Sequence, residues 1–369
     1  MIEIIDKHNI NLTGKKVTVL GAGRSGLAAA TLIQNAGGIP FISEFKNEVN
    51  SEIEQFNYEI GGHTIQALNC ELVVISPGIS DKIDIVNNAI LNGIPIISEV
   101  ELASWFTKKP IFAIIGSNGK TTTTLLLQAI CESAKINSEM VGNIGIPFSE
   151  KVSKEILGEI NPDVYVVEVS SFQLEHIIHF SPKISAILNI QPDHLDRYNN
   201  FQSYVNAKLN ITKNICESDF FIFNSDDEIL NQIYQKSSDN YIPFSSTMEN
   251  RAPFNLNNTK VYYKENGKTE PLFYLNDCKL VGKHNIQNIL AASIMAKCFG
   301  INEDSIRHAI THFKPVPHRI EYSGNIKGIK CYNDSKATNL DAVKVALNSF
   351  DDPVILILGG KDKGKSEFK

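Results

Sequence analysis

Two glycine-rich turns, each set between an apolar run and a helical pattern, are the stretches from which chemistry can be read. In IFAIIGSNGKTTTT an apolar run enters Gly116, Ser117, Asn118, Gly119, Lys120, Thr121 and Thr122, and the helical pattern TTTLLLQAI follows. Glycines let the backbone wrap so that N–H groups and a helix N-terminus face phosphate oxygens. Lys120 would then neutralise the β- and γ-phosphates of a nucleoside triphosphate, and the Thr121 hydroxyl would hold Mg²⁺. A common phosphate loop has glycine where this chain has Ile114, so the loop is a variant. The second turn lies in VTVLGAGRSG, with Gly21, Gly23 and Gly26 followed by a helix, a second apolar run and Glu44. That order matches a dinucleotide fingerprint. Its glycine geometry accepts NAD and a UDP-sugar diphosphate alike. A triphosphate loop in the same chain is awkward for a dehydrogenase, and no residue pattern marks a hydride-transfer centre.

Three further residues could do chemistry near a triphosphate. Glu168 closes the apolar run DVYVVEV. Alone it could cap a helix or pair with a cation; in the same sheet as a phosphate loop it becomes a candidate Mg²⁺ ligand. His194 stands in DHLDRY, where Asp193 could equally cap a helix and leave His194 on the surface. Lys208, in SYVNAKLNIT, is by residue type alone an ordinary solvated helical lysine.

The elements that must position these residues follow the βα pattern. KVTVL, IPFIS, LVVIS and IPIIS alternate with helical stretches, including one where Ile83, Val86 and Ile90 recur at helical spacing. Continuous apolar strands joined by helices predict a parallel sheet covered on both faces. SEVELASWF reads as a helix leading to a second series, IFAIIG, DVYVVEV, KISAILNI and DFFIFN. A polar passage around KVYYKENGKTEPLFYL predicts a small antiparallel insert, and HNIQNILAASIMAKCFG a helix stopped at Gly300. FKPVPHR marks a boundary, after which come GIKCYND, a helix over about 339–348 and an apolar strand PVILILGG. The segments divide as 1–98, 99–315 and 316–369.

The chain has 369 residues, 43% hydrophobic and 21% charged, with net charge −6. Lys and Arg are spread rather than blocked, which argues against nucleic-acid binding. Six cysteines lie far apart with no metal spacing, and buried, reduced thiols are expected. The N-terminus lacks a signal-peptide pattern and no apolar run spans a membrane, so a cytoplasmic location is expected.

VLGAGRSG, ISPGI, GSNGKTT, GNIG, EVSSFQLE, DHLDRY, GKHNIQN, PHRIE and NDSKATN follow one another in an order that resembles the Mur ligase family along the whole chain. SSFQLE and SPGI favour its D-glutamate-adding branch. The resemblance implies a three-domain α/β architecture: an N-terminal Rossmann-like UDP-sugar domain (1–98), a central ATP-binding P-loop domain (99–315) and an incomplete C-terminal Rossmann-like domain (316–369). The family's last domain continues past the point matching Lys369, so the resemblance implies a C-terminally truncated chain.

The implied reaction joins UDP-N-acetylmuramoyl-L-alanine to D-glutamate with ATP, by way of an acyl phosphate. Carried over by motif, Lys120, Glu168, His194 and Lys208 are the catalytic set, and Thr121, Glu168, His194 and Lys208 hold two Mg²⁺ ions, Lys208 as a carbamate. Asn285 and Asn288 would contact adenine, and Arg319, Asp334 and Lys336 the rest of ATP. Arg24, Ser25, Glu44, Lys46, Ser76, Gly78, Asn143, Gln173 and His194 would bind the UDP-sugar, and Thr338 and Lys363 the D-glutamate. The family match implies a monomer without NAD, nucleic-acid or membrane partners. The rivals are another Mur-type or folylpolyglutamate-type ligase, the latter disfavoured by VTVLGAGRSG, and a non-catalytic nucleotide-binding module.

Overall fold

The computed structural model describes residues 10–193, 197–234, 240–246, 254–257, 260–265, 268–278, 280, 282–314, 318, 320–337, 340–347, 350 and 353–359. The chain packs as two compact units, one of residues 1–113, 137–185 and 206–219, the other of 114–136, 186–205 and 220–369. The chain passes between the units at five points, two of them inside strands (113/114 and 185/186) and one inside a helix (205/206).

The first unit opens with β1 (Lys16–Leu20), α1 (Arg24–Asn35), β2 (Ile39–Ser43), β3 (Asn57–Glu59), β4 (Leu72–Ile75), α2 (Asp84–Leu91), β5 (Ile96–Ser98) and α3 (Glu99–Ser104). The strands form an all-parallel sheet in the order β3-β2-β1-β4-β5. Val17, Val19, Leu72 and Val74 are almost wholly buried, as a sheet covered on both faces requires. The order reverses between β1 and β4, where ligands enter a doubly wound sheet. Gly26 explains why α1 lies so close to β1: a Cβ there would stand 1.9 Å from the Gly21 carbonyl oxygen.

A second series follows: β6 (Ile111–Ile115), α4 (Lys120–Ser133), β7 (Ser138–Gly142), α5 (Phe148–Ile156), β8 (Val164–Glu168), α6 (Ser171–Glu175), β9 (Ile184–Ile187), α7 (Phe201–Leu209), β10 (Phe220–Asn224), α8 (Glu228–Tyr234) and β11 (Tyr241–Phe244). Its six-stranded sheet has the order β11-β10-β9-β6-β8-β7. The insert is a three-stranded antiparallel sheet of β12 (Phe254–Asn257), β13 (Lys260–Glu265) and β14 (Lys268–Tyr274), as the polar passage predicts. Helices α9 (Lys283–Cys298) and α10 (Glu303–His312) follow. Small side chains such as Ala291, Ala292 and Ala296 bury α9 almost completely and let it press against α4. Gly300, at φ +91°, ends it where expected.

Beyond α10 the chain forms a hairpin of β15 (Glu321–Ile326) and β16 (Ile329–Asn333), then α11 (Leu340–Leu347). The expected strand PVILILGG does not form. Residues 353–359 pair with no strand among the described residues, and Ile355 and Ile357 are 81% and 94% exposed. An apolar run makes a strand only when a neighbour takes its backbone groups. The helical stripe Ile83, Val86, Ile90 is also corrected. Ile83 precedes the helix as its N-cap, the buried face is Ile85, Val86 and Ala89, and Ile90 is exposed. All six cysteines are thiols, but only Cys131 is buried and Cys216 is exposed. Burial pushes the Cys278 thiol up to about 11 and Cys298 up to about 12. Among the described residues no helix is long and apolar enough to cross a membrane.

Candidate active site

In the first unit the glycine turn after β1 opens at the β1/β4 switch. Gly23 is the N-cap of α1, so no side chain caps the first turn, and a Cβ there would meet nothing within 4 Å. Such an end favours an anion. Glu44, just past β2, accepts from the N–H groups of Ala22 at 2.7 Å and Lys46 at 2.9 Å. Burial works to raise its pKa, but these two donors, with the Lys46 and His63 charges, hold the carboxyl below its usual range. Glu44 thus clamps the glycine turn to the end of β2. Ser76, just past β4, lies against Gly21, and its Oγ is buried without a hydrogen-bond partner among the described residues. Arg24, the first residue of α1, and Lys46 and Gly78 on the neighbouring loops are exposed, and Ser25 is half-buried.

Also in the first unit, Glu168 ends β8 and is 1% exposed. Asn143 Nδ2 donates to its Oε1 at 3.0 Å, whereas Oε2 has no hydrogen-bond partner among the described residues. A buried carboxylate oxygen left in that state suits a hard cation, which fits a magnesium ligand. Gln173 is placed differently. Its Oε1 accepts from the Ser170 N–H and hydroxyl in a capping box that starts α6, so its carbonyl is spent on the fold. Lys208, in the last turn of α7, is 2% exposed, not the solvated lysine its type suggests.

In the second unit the phosphate loop runs from β6 into α4. It is pinned from the segment after β9. Ser117 Oγ donates to the Gln191 carbonyl and lies 2.9 Å from the Tyr204 hydroxyl. Asn118 is held through its N–H by Asn189 Oδ1 at 2.8 Å and through Nδ2 by Gln191 Oε1 at 2.9 Å. Gly119 has φ +87°, and a Cβ there would fall 2.3 Å from Asn288 Oδ1. That position therefore needs glycine for both conformation and space. Lys120 Nζ donates to the carbonyls of Gly116 at 2.8 Å and Ser117 at 3.2 Å, which folds it over the loop. Thr121 and Thr122 sit in the first turn of α4, Thr121 half-buried and Thr122 buried.

The loop contributes to a cleft of about 160 Å³ lined by residues including Asn118, Gly119, Asn288 and Asp334. Asn285 is 7% exposed and not among its lining residues; it accepts from Asn288 Nδ2 at 3.1 Å. Asp334 Oδ1 accepts from the Ile320 N–H, and Lys336 is exposed nearby in the chain. His194, Arg319, Thr338 and Lys363 lie outside the described residues. Sequence reasoning passed over other cleft residues, namely Asn189, Gln191, Asn224, Asp226, Asp227, His284 and Gln287. Most of them stand just past the C-terminal ends of β9 and β10. That is where ligands meet a parallel sheet, and it is the signal that could have found them.

Comparison with known proteins agrees with this geometry. The family model of the Mur ligase middle domain matches residues 114–296. The UDP-N-acetylmuramoylalanine–D-glutamate ligase of Salinibacter ruber is 39% identical over 365 residues, 95% of this chain and 78% of that protein. Its namesake from Koribacter versatilis is 40% identical over 364 residues, 96% of this chain and 79% of that protein. Among solved structures, a murein peptide ligase from Psychrobacter arcticus superposes with a TM-score of 0.56 at 19% identity, covering 91% of this chain and 75% of its own. The UDP-N-acetylmuramate–alanine ligase of Thermotoga maritima gives 0.53 at 20% identity, covering 91% and 77%. These two likenesses carry the fold alone. With its variant phosphate loop, buried Glu168 and close identity over nearly its full length, the chain belongs to the Mur ligases, in the UDP-N-acetylmuramoylalanine–D-glutamate ligase family.

Proposed function

We propose that the chain is the ATP-dependent ligase that joins D-glutamate to UDP-N-acetylmuramoyl-L-alanine in building peptidoglycan precursors. The observation that carries this reading is identity of 39–40% over some 95% of the chain to ligases of that name. The phosphate loop supplies the chemistry. A carboxylate is a poor acyl donor, so the L-alanyl carboxylate first attacks the γ-phosphorus of ATP, taking the phosphoryl group and releasing ADP. The D-glutamate amine then attacks the acyl phosphate carbonyl, and phosphate leaves as the amide forms.

Within that scheme the loop N–H groups and Lys120 bind and neutralise the triphosphate, which is most of what phosphoryl transfer asks of a protein. The switch-point turn at Gly21–Gly26 takes the UDP diphosphate, with Arg24, Ser25, Glu44, Lys46, Ser76 and Gly78 around it and Asn143 and Gln173 further along the chain. Glu168 is the magnesium ligand with the clearest structural support, and Thr121, His194 and a carboxylated Lys208 complete the proposed set. Bound there, magnesium would neutralise charge on the transferring phosphoryl group. Asn285, Asn288, Arg319, Asp334 and Lys336 serve ATP, and Thr338 and Lys363 the incoming D-glutamate. The enzyme works as a cytoplasmic monomer on these small molecules.

Phosphate release tests the reading. With ATP, Mg²⁺ and UDP-N-acetylmuramoyl-L-alanine, release is expected only on adding D-glutamate. Equal release with L-glutamate or meso-diaminopimelate would remove the D-glutamate assignment.

A further inference from the structure

The cleft of the second unit has two electrostatic ends. At one, Asn118 and Gly119 of the phosphate loop line it, at the N-terminus of α4. At the other, Asp226 and Asp227 stand just past β10 and line the same cleft. Carboxylates repel a triphosphate, so that end suits the uncharged base of a nucleotide.

Asp226 is held in place from several directions. Its Oδ1 accepts from Ser245 Oγ, and its Oδ2 accepts from the Ser246 N–H at 2.9 Å, Ser246 Oγ at 2.6 Å and Gln287 Nε2 at 3.2 Å. Burial works to raise its pKa, but these donors hold it below the usual range, so it is ionised at neutral pH. An ionised carboxylate only accepts hydrogen bonds, so the part of Gln287 facing it must be the NH₂ group. The same nitrogen lies 3.3 Å from Ser246 Oγ, whose proton goes to Asp226. The Gln287 amide is therefore fixed in one orientation. Its Oε1 has no hydrogen-bond partner among the described residues, and Gln287 lines the cleft. The two asparagines beside it differ. Asn288 accepts from Thr123 Oγ1 in the first turn of α4 and donates to Asn285 Oδ1.

We infer that Gln287, oriented by Asp226 and Ser246, accepts a hydrogen bond from the exocyclic amine of the nucleotide base, so that the cleft selects 6-amino over 6-oxo purines. The inference rests on the reading of this cleft as the nucleotide site. A 6-oxo base would set its carbonyl oxygen against Oε1, leaving two acceptors facing each other. Rotating the amide to answer it would set Oε1 against the Asp226 carboxylate. Sites built around a hydrogen bond reject analogues lacking its partner far better than apolar pockets reject a change of size.

Displacement of a fluorescent ATP analogue from the whole chain by ATP, ITP and GTP tests this. ATP is expected to bind at least about tenfold tighter than ITP, whose base carries an oxygen at C6 and a proton on N1. In Gln287→Leu the ATP and ITP affinities should converge to within roughly threefold, chiefly through weaker ATP, and Ser246→Ala should narrow the ratio in the same direction. The ratio is taken within one sample, so partial unfolding of a variant lowers both affinities together and cannot imitate lost discrimination. Equal ATP and ITP binding by the wild type, or an unchanged ratio in Gln287→Leu, overturns the inference and leaves the nucleotide site standing. Failure of the wild type to bind any of the three overturns the nucleotide reading of the cleft and the inference with it.

Discussion

Asn143 holds one carboxylate oxygen of Glu168 at 3.0 Å and leaves the other buried at the end of β8 without a hydrogen-bond partner among the described residues. Such an oxygen is destabilising until a cation reaches it. Glu168→Gln should therefore raise the melting temperature of the metal-free protein, by about 1 kcal/mol of stability, and remove the shift that Mg²⁺ gives the wild type. Ligase activity should fall at least about a hundredfold. A thermal melt with and without Mg²⁺ checks the first two outcomes, and an unchanged Mg²⁺ shift would exclude Glu168 as a ligand.

At Gly119 the backbone and its neighbour agree on one residue type. Gly119→Ala forces a side chain into φ +87° and against Asn288 Oδ1, and should cost about 2 kcal/mol. Adding Asn288→Ala removes the clash but not the backbone strain. The double variant should recover part of the loss in chemical denaturation, and purely additive losses would show that the contact is not the cause.

Lys120 Nζ is tethered over the phosphate loop by the Gly116 and Ser117 carbonyls. Lys120→Ala should lower kcat by about a thousandfold with little change in melting temperature. Lys120→Arg should not restore it, because a planar fork cannot replace a compact ammonium. Single-turnover phosphate release separates this from an effect on product release.

The Glu44 clamp makes a pH prediction with a defined sign. Its pKa is lowered in the folded protein, so the stability it contributes is full above the unfolded value near 4.5 and fades as pH falls through the folded one. Glu44→Gln should cost about 1 kcal/mol at neutral pH and almost nothing in strong acid. Melting temperatures of the two proteins should converge as pH falls; a constant gap would mean that the charge plays no part.

Lys208 is buried near the end of α7. If its amine carries a carboxyl group, Lys208→Ala should lose activity and a small acid such as formate should restore part of it. Loss without any rescue would favour a packing role.

Much of the scaffold was legible because it depends on local pattern. KVTVL, IPFIS, LVVIS and IPIIS became β1, β2, β4 and β5, since continuous apolar runs between helices have few other homes. β3 was not legible: Asn57, Tyr58 and Glu59 form a short polar strand at a sheet edge, where burial leaves no pattern. In the candidate site, the glycines were readable because their conformations exclude most other residues. Asp226 and Gln287 lie 61 residues apart and meet only through the order of the strands, which no local spacing encodes. The burial of Lys208 was equally hidden, because packing around α7, not its own sequence, decides it. PVILILGG shows the converse error, an apolar run whose residues 353–359 find no partner strand among the described residues.

The spread of environments around the six thiols has a practical consequence. Cys131 is sealed in the core, burial suppresses the thiolate of Cys278 and Cys298, Cys70 and Cys331 are half-buried, and Cys216 is exposed. Maleimide reagents consume thiolate, so a brief exposure at neutral pH should mark Cys216 first. The native chain thus offers a handle for one fluorophore, on a segment distant in sequence from both glycine turns, with no cysteine engineered in or out.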